Sequence, residues 1–396
     1  MSPEEAINLA IDFIESGDFP SAELVYRKIL EHYPNNKLVS YLIKDVEGSY
    51  EASLQGTYGQ KRLLKHFKTQ VSHYNLVPEY NLNWGLASLG PVQGFLATNP
   101  LTIVDIGARD SSLGEVEDLK QYVNLVGFDA DSAECDRLNK NPPEGFYSYK
   151  ILPYFIGKSG ATVKFHIYKA PGESSVFRPN PIFKSRYSSS FSIDRSIDVE
   201  PIELYRALAH ENVIDVDLIK LDTQGSELHI IQTSPNVFDR TLLVESEVEW
   251  VEMYEGQPLV GDFLNHMFAL GFEVLYVNRV FINEQDYHGP ARGQLVFSDM
   301  LFVKRQELLH LFPPHNVAKH VILLCTYGHL DRAFSIWKAN REIQILLPRL
   351  LEYFQPYKGQ VERVKEMARD KTLCWQLHRR KFNQLPIDSD RSWPIR

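Results

Sequence analysis

The chain has 396 residues, 44% of them hydrophobic, and a formal net charge of −9. That length calls for two or three domains, with enough apolar content for packed cores. The acidic balance excludes a general nucleic-acid binder, and no apolar run reaches the roughly eighteen residues of a membrane-spanning helix.

The N-terminus, MSPEEAINLAIDF, lacks the basic opening of a signal peptide. Cys135, Cys325 and Cys374 are scattered and fit no C-x-x-C metal spacing. These features predict a reducing, cytoplasmic setting. Residues 3–36 have helical periodicity in two blocks, Ala6, Leu9, Ala10, Phe13 and then Ala22, Val25, Tyr26, Ile29, Leu30. Gly17 separates the blocks and Pro34 ends the second, which resembles one tetratricopeptide repeat. A single repeat cannot bury its own apolar face. Residues 38–70 are predicted helical, and 74–96 form a connector rich in Asn, Pro and Gly.

The middle of the chain alternates. Strands are expected at about 101–107, 122–128, 148–155, 161–168, 217–222, 241–249, 272–278 and 294–303. Helices are expected at 132–140, 225–233 and 259–270. The last strand follows without a long helix, so it should run antiparallel at or near an edge. This is an α/β pattern with a Rossmann-like sheet. Beyond Pro313 and Pro314, residues 316–341 repeat the hairpin spacing through Gly328, Leu330, Ala333 and Trp337. Residues 342–382 continue as amphipathic helix. The organisation expected is a helical hairpin at 1–48, a helical linker at 49–96, the sheet domain at 97–305 and a helical region at 306–396. Two hairpins with open apolar stripes predict stacking within the chain, a homodimer, or a protein partner bound through those helices.

The stretch Leu101 to Asp131 organises this plan. An apolar run ends at Asp105, Ile106 and Gly107, and a second ends at Asp129. Open parallel sheets bind ligands at the carboxyl ends of such strands. Gly107 would let backbone approach a ligand, and Asp129 would accept hydrogen bonds from a ribose diol. The turn Gly107, Ala108, Arg109, Asp110, Ser111, Ser112 is not G-x-G-x-x-G, and its acid would crowd a pyrophosphate. It suits a nucleoside without phosphates, of which S-adenosylmethionine is the common one. Asp105, Gly107, Ala108, Arg109, Asp129 and Ala130 are the candidate cofactor residues.

The segments VDIGARDSSLG, VGFDADSAECDRLN, SSVFRPN, DLIKLDTQGSELHII, VESEVEWVEMYEGQPL and GQLVFSDMLF follow one another in order. Together they resemble the FkbM-type S-adenosylmethionine-dependent methyltransferases, in the branch whose fourth-strand motif reads D-T-Q-G. The resemblance spans roughly residues 97 to 304. It implies a seven-stranded methyltransferase sheet, S-adenosylmethionine as cofactor, and O-methylation of a sugar hydroxyl in a glycan or glycosylated metabolite. Many members carry glutamate where this chain has Gln224.

Asp222 ends the strand DLIKLD and is the candidate base or acceptor-orienting group; Gly225 after it starts a helix whose N–H groups would face the same space. Gln224 is a neutral donor for a substrate hydroxyl. Glu245, Glu247 and Glu249 share one strand face by period two; Glu245 is assigned to catalysis and Glu247 to substrate. Salt-bridged pairs are the alternative role for these acids. The resemblance adds Ser174, Ser175 and Asn180 near the cofactor or acceptor, and Arg292 in GPARGQL is a candidate contact for an anionic acceptor. His166 and His229 are read as structural, and no metal is expected. The competing reading is a catalytically degenerate scaffold that works through its helices.

Overall fold

The structure is a computed structural model. It describes residues 19–32, 90–109, 113–187, 191–287 and 293–348, with Ala10, Phe13 and Leu350 besides. It divides into two units, Met1–Tyr80 and Asn81–Arg396. In the first unit, α1 (Phe19–His32) buries Ala22, Tyr26 and Ile29. These lie four and then three residues apart, so they form one stripe. The helix expected before it, the 38–70 and 74–88 segments, and the chain beyond Leu350 lie outside the described residues.

In the second unit α2 (Gly90–Thr98) leads into β1 (Leu101–Ile106) and β2 (Val123–Phe128). Next come α3 (Ser132–Lys140), β3 (Ser148–Leu152), β4 (Phe155–Ile156), β5 (Val163–Tyr168), α4 (Pro181–Tyr187), β6 (Ile193–Val199) and β7 (Pro201–Ile202). The chain continues through α5 (Leu204–His210), β8 (Leu218–Leu221), α6 (Glu227–Thr233), α7 (Pro235–Arg240), β9 (Leu243–Glu249), α8 (Val260–Ala269), β10 (Phe272–Ile282) and β11 (Gln294–Lys304). Three helices close it: α9 (Pro314–Thr326), α10 (Leu330–Ala339) and α11 (Arg341–Leu346).

Seven strands form one sheet in the order β10-β11-β9-β8-β1-β2-β3. β1, β2, β3, β8 and β9 are parallel, while β11 runs antiparallel between β9 and β10. This is the Rossmann-like α/β sheet expected, with the reversed strand one place in from the edge. The added strand β5 pairs with β6 in a separate two-stranded sheet. The segment expected as one strand to residue 155 breaks into β3 and the short β4, which pairs with β7 instead.

Period two sorts the buried residues into two cores. Ile103, Leu218, Leu243 and Leu301 face one side, and Val104, Ile219, Val244 and Phe302 the other. The second side is packed by Leu208 of α5, Ile231 of α6 and Met267 of α8. The first is packed by α9, whose Val317, Val321 and Leu324 join that core, with Ala333 and Trp337 of α10 behind. The C-terminal hairpin therefore spends its apolar stripe on the catalytic sheet of its own chain, and it belongs to the same unit. A buried ion pair fixes it. Lys319 Nζ lies 3.0 Å from Asp217 Oδ2, which also accepts from the Thr102 N–H at 2.8 Å. The hairpin turns at Gly328, in the left-handed region at φ 81°.

Candidate active site

Strand order reverses between β1 and β8, so the crevice opens at their carboxyl ends. Gly107 follows β1 with φ 87°. A Cβ there would lie 1.9 Å from the Asp222 carbonyl oxygen. The space kept by this glycine is thus filled by the turn after β8, and the expectation that it admits a ligand is corrected. The Gly107 and Ala108 N–H groups both donate to Phe128 O, at 2.9 and 3.1 Å. The three strand ends are locked to one another through backbone.

Asp129 sits at the end of β2, buried. Its Oδ1 accepts from the Asp131 N–H at 2.7 Å. Its Oδ2 is 3.9 Å from Arg109 Nε, beyond hydrogen-bonding distance. Arg109 leans instead on Asp131, at 3.0 Å, and on Glu134, at 3.7 Å. Burial raises the Asp129 carboxyl to about 6, against the Asp131 N–H and Arg109, which lower it. Ala130 is half-buried beside it. Asp105 is different: its side chain is 0% exposed. It lies inside the sheet, one step below the strand end, and is corrected from cofactor contact to a member of the buried charge row beneath.

That row runs in register as Asp105, Lys220 and Glu245 on the α9 side of the sheet. One step toward the crevice come Asp222 and then the register partners Glu247, Asp299 and Asn278. Lys220 Nζ stands 3.5 Å from Asp222 Oδ2 and 3.9 Å from Asp105 Oδ1. Burial works against its charge, but Asp105, Asp222, Glu245 and Asp299 outweigh it and raise its pKa. Glu247 and Glu249 are pushed well above the carboxylate range, first by burial and then by neighbouring acids, and Asp299 is raised for the same reasons.

Gln224 ties these groups together. Its Nε2 donates to Asp222 Oδ1 at 2.9 Å and to Glu247 Oε1 at 2.8 Å. Its Oε1 faces the Tyr254 hydroxyl at 2.8 Å; that one hydrogen is shared with Glu173 O at 2.9 Å. Gln224 has φ 58°, a conformation costing a non-glycine residue about 1–3 kcal/mol unless its surroundings over-determine it. They do. Ser175 Oγ donates to Gln224 O at 2.7 Å, and Glu227 accepts from the N–H groups of Thr223 and Gly225 at 2.6 and 2.9 Å. Burial raises Glu227 to about 7. The amides expected to point from a helix start into the crevice are therefore capped by the chain itself.

The assigned catalytic and substrate residues separate. Asp222 and Gln224 lie at the crevice, and the Asp222 side chain is 37% exposed. Glu245 is buried and accepts from the Tyr327 hydroxyl of the C-terminal hairpin at 2.6 Å, so its catalytic assignment is corrected to an interior anchor. Glu247 is likewise buried under Gln224. Ser175 is 0% exposed, and the half-buried Ser174 accepts from the Tyr168 N–H at 3.2 Å; both hold the loop after β5. Asn180 caps α4 through the N–H groups of Ile182 and Phe183. His166 bonds Ser196 through Nδ1 at 2.7 Å, and His229 stacks by Phe177 at 5.9 Å; both are structural. Asp110, Ser111, Ser112 and Arg292 lie outside the described residues. Among the described residues no group of three or more His, Cys, Asp or Glu side chains could hold a metal.

Lys220, Glu227, Tyr254 and Tyr327 were missed from sequence. Lys220 stands two residues before Asp222, so strand periodicity already put both on one face. Glu227 stands in the first turn of α6, where acids are favoured, but four residues from Thr223 it does not have capping-box spacing. The two tyrosines carry no local signal, because their partners are distant in sequence.

A doubly wound sheet with an acid at the end of β2 and a polar web at the end of β8 makes a ligand crevice at its switch point. Residues 105–274 match the model of the methyltransferase FkbM domain, so the chain carries an FkbM methyltransferase domain. Its cofactor is S-adenosylmethionine. Similar solved structures include the candidate RNA methyltransferase PH1948 from Pyrococcus horikoshii, at 14% identity over 57% of this chain and 83% of that one, TM-score 0.28. Another is magnesium protoporphyrin IX methyltransferase from Synechocystis PCC 6803 with bound S-adenosylmethionine, at 10% identity over 60% and 97% of the two chains, TM-score 0.29. WbdD is a third, at 14% identity over 57% and 40%, TM-score 0.27. No curated protein matches the chain.

The residues fit the cofactor. Asp129 has a carboxylate oxygen available for the ribose hydroxyls, and the Asp222 end of the polar web presents an acidic wall suited to a sulfonium cation.

Proposed function

We propose that the protein transfers a methyl group to a hydroxyl oxygen of a sugar, in a glycan or glycosylated metabolite. The observation that carries this is Asp222: a part-exposed carboxylate at the switch point, held by Lys220 on one oxygen and Gln224 on the other. Asp129 holds the cofactor's ribose, with Ala130 beside it. When bound, S-adenosylmethionine supplies an electrophilic methyl group and keeps the carbon–sulfur electron pair on the departing sulfur. Asp222 orients the acceptor hydroxyl and takes its proton onto a carboxylate oxygen. Orientation gives most of the acceleration, and the base adds on the order of 10²–10⁴-fold. Gln224 cannot act as a base, so the D-T-Q-G motif leaves Asp222 to hold the proton. Buried Glu247 supports Gln224 without touching the acceptor.

The test is to incubate the protein and methyl-labelled cofactor with oligosaccharide, glycolipid and glycosylated-metabolite pools, and to read products by mass spectrometry. A single methyl increment on a sugar oxygen supports the reading. Increments confined to amines or nucleobases would replace the acceptor class. No heat of binding with either S-adenosylmethionine or S-adenosylhomocysteine would remove the enzyme reading.

A further inference from the structure

We propose that Lys220 is the positioning residue of this site, its ammonium holding the Asp222 carboxylate ionised and in one orientation. The inference rests on the reading of Asp222 as the base. Asp222 stands in an acidic field. Glu247 and Glu249 on β9, Asp299 on β11 and Glu227 on α6 act on it, Asp105 of β1 and Glu245 of β9 flank Lys220, and Tyr149 of β3 and Tyr327 beyond α9 border the row. Neighbouring carboxylates repel further negative charge, and a general base must be free of its proton to accept one. Lys220 opposes them from within the row, 3.5 Å from Asp222 Oδ2. Its own strand pairs with Asp105 and Glu245 in register on either side, so its ammonium stands in a row of acids, and its side chain is only 16% exposed. Gln224 meets the other oxygen at 2.9 Å. The carboxylate plane is therefore set from two directions, by a cation and by an amide. Lys220 acts through Asp222 and touches neither cofactor nor acceptor.

The experiment uses the full chain labelled with ¹³C at aspartate carboxyls, the Asp222 signal being identified by its loss in D222N. In K220M the titration midpoint of Asp222 should rise by roughly one to three pH units, the range an adjacent opposite charge commands. K220R should restore it. With an acceptor in hand, the acid limb of kcat/KM should rise by the same amount, while S-adenosylhomocysteine affinity stays within a few-fold. If K220M does not fold, the pair D105N/K220M, which removes both charges, is titrated against D105N alone, with the same rise expected. An unmoved Asp222 midpoint in these variants would overturn the proposal. A midpoint that moves while the acid limb of the rate stays put would keep Lys220 as the setter of Asp222's charge and remove Asp222 as the base.

Discussion

Replacing Gly107 with alanine separates two reasons for a glycine at this turn. If the glycine serves ligand approach, the apo protein should tolerate Cβ and only cofactor affinity should suffer. The structure says otherwise: Cβ would meet the Asp222 carbonyl at 1.9 Å. That carbonyl cannot simply retreat, because the Asp222 N–H donates to Ile106 O at 2.9 Å, on the residue just before Gly107. A side chain at φ 87° also costs about 1–2 kcal/mol in the left-handed region. Overpacking adds about 1–3 kcal/mol. Together these imply a loss of about 2–5 kcal/mol, or roughly 5–15 °C in Tm for a domain of this size. Because the chain that moves carries Asp222, turnover should fall with stability. Thermal unfolding of the apo protein by circular dichroism, with calorimetry of S-adenosylmethionine binding, reads both. An unchanged apo Tm with lost cofactor affinity would refute the packing argument and restore the ligand-approach role.

Asp129→Ala should weaken S-adenosylmethionine about tenfold or more, the loss of a charged hydrogen bond. With the carboxyl at about 6, affinity should fall as pH drops from 7 to 5 in the wild type and stay flat in Asp129→Asn, as calorimetry across that range would show. The apo protein runs the other way. The folded value lies above the ordinary 3.8, so this group's contribution to stability is present below about 4 and is lost as pH rises through about 6; urea unfolding of wild type against Asp129→Asn should display that slope. Asp222→Ala should abolish turnover with cofactor affinity within a few-fold, and retained turnover would remove Asp222 from the chemistry. Lys319→Met leaves Asp217 buried without its cation and should cost about 3–5 kcal/mol, largely recovered by adding Asp217→Asn; denaturant midpoints check it, and a cost near zero would mean the hairpin is not fastened there.

Much of the site could be read from local pattern. Asp129, Asp222 and Gln224 fall where an apolar run meets a turn, and strand alternation together with the strand-end rule is enough to put them at the crevice. The same alternation put Glu245, Glu247 and Glu249 on one face, which the structure keeps. It carries no information about depth along the strand or about what covers that face. Glu245 became an interior anchor because Tyr327, 82 residues away, donates to it. The serines of GESSVFRPN became loop supports because Ser175 meets Gln224 across 49 residues.

The sequence by itself determined the parallel sheet, its reversed last strand, the acid at the end of β2 and the acid–amide pair at the end of β8. Each depends on periodicity and turn chemistry acting within a few residues. Only the tertiary structure decided which acids are buried, which cation stands beside Asp222, why Gly107 must be glycine, and that the C-terminal hairpin closes the sheet of its own chain. Those outcomes depend on desolvation and on contacts between segments far apart in the chain, where electrostatics is set by distance and burial and not by spacing along the backbone.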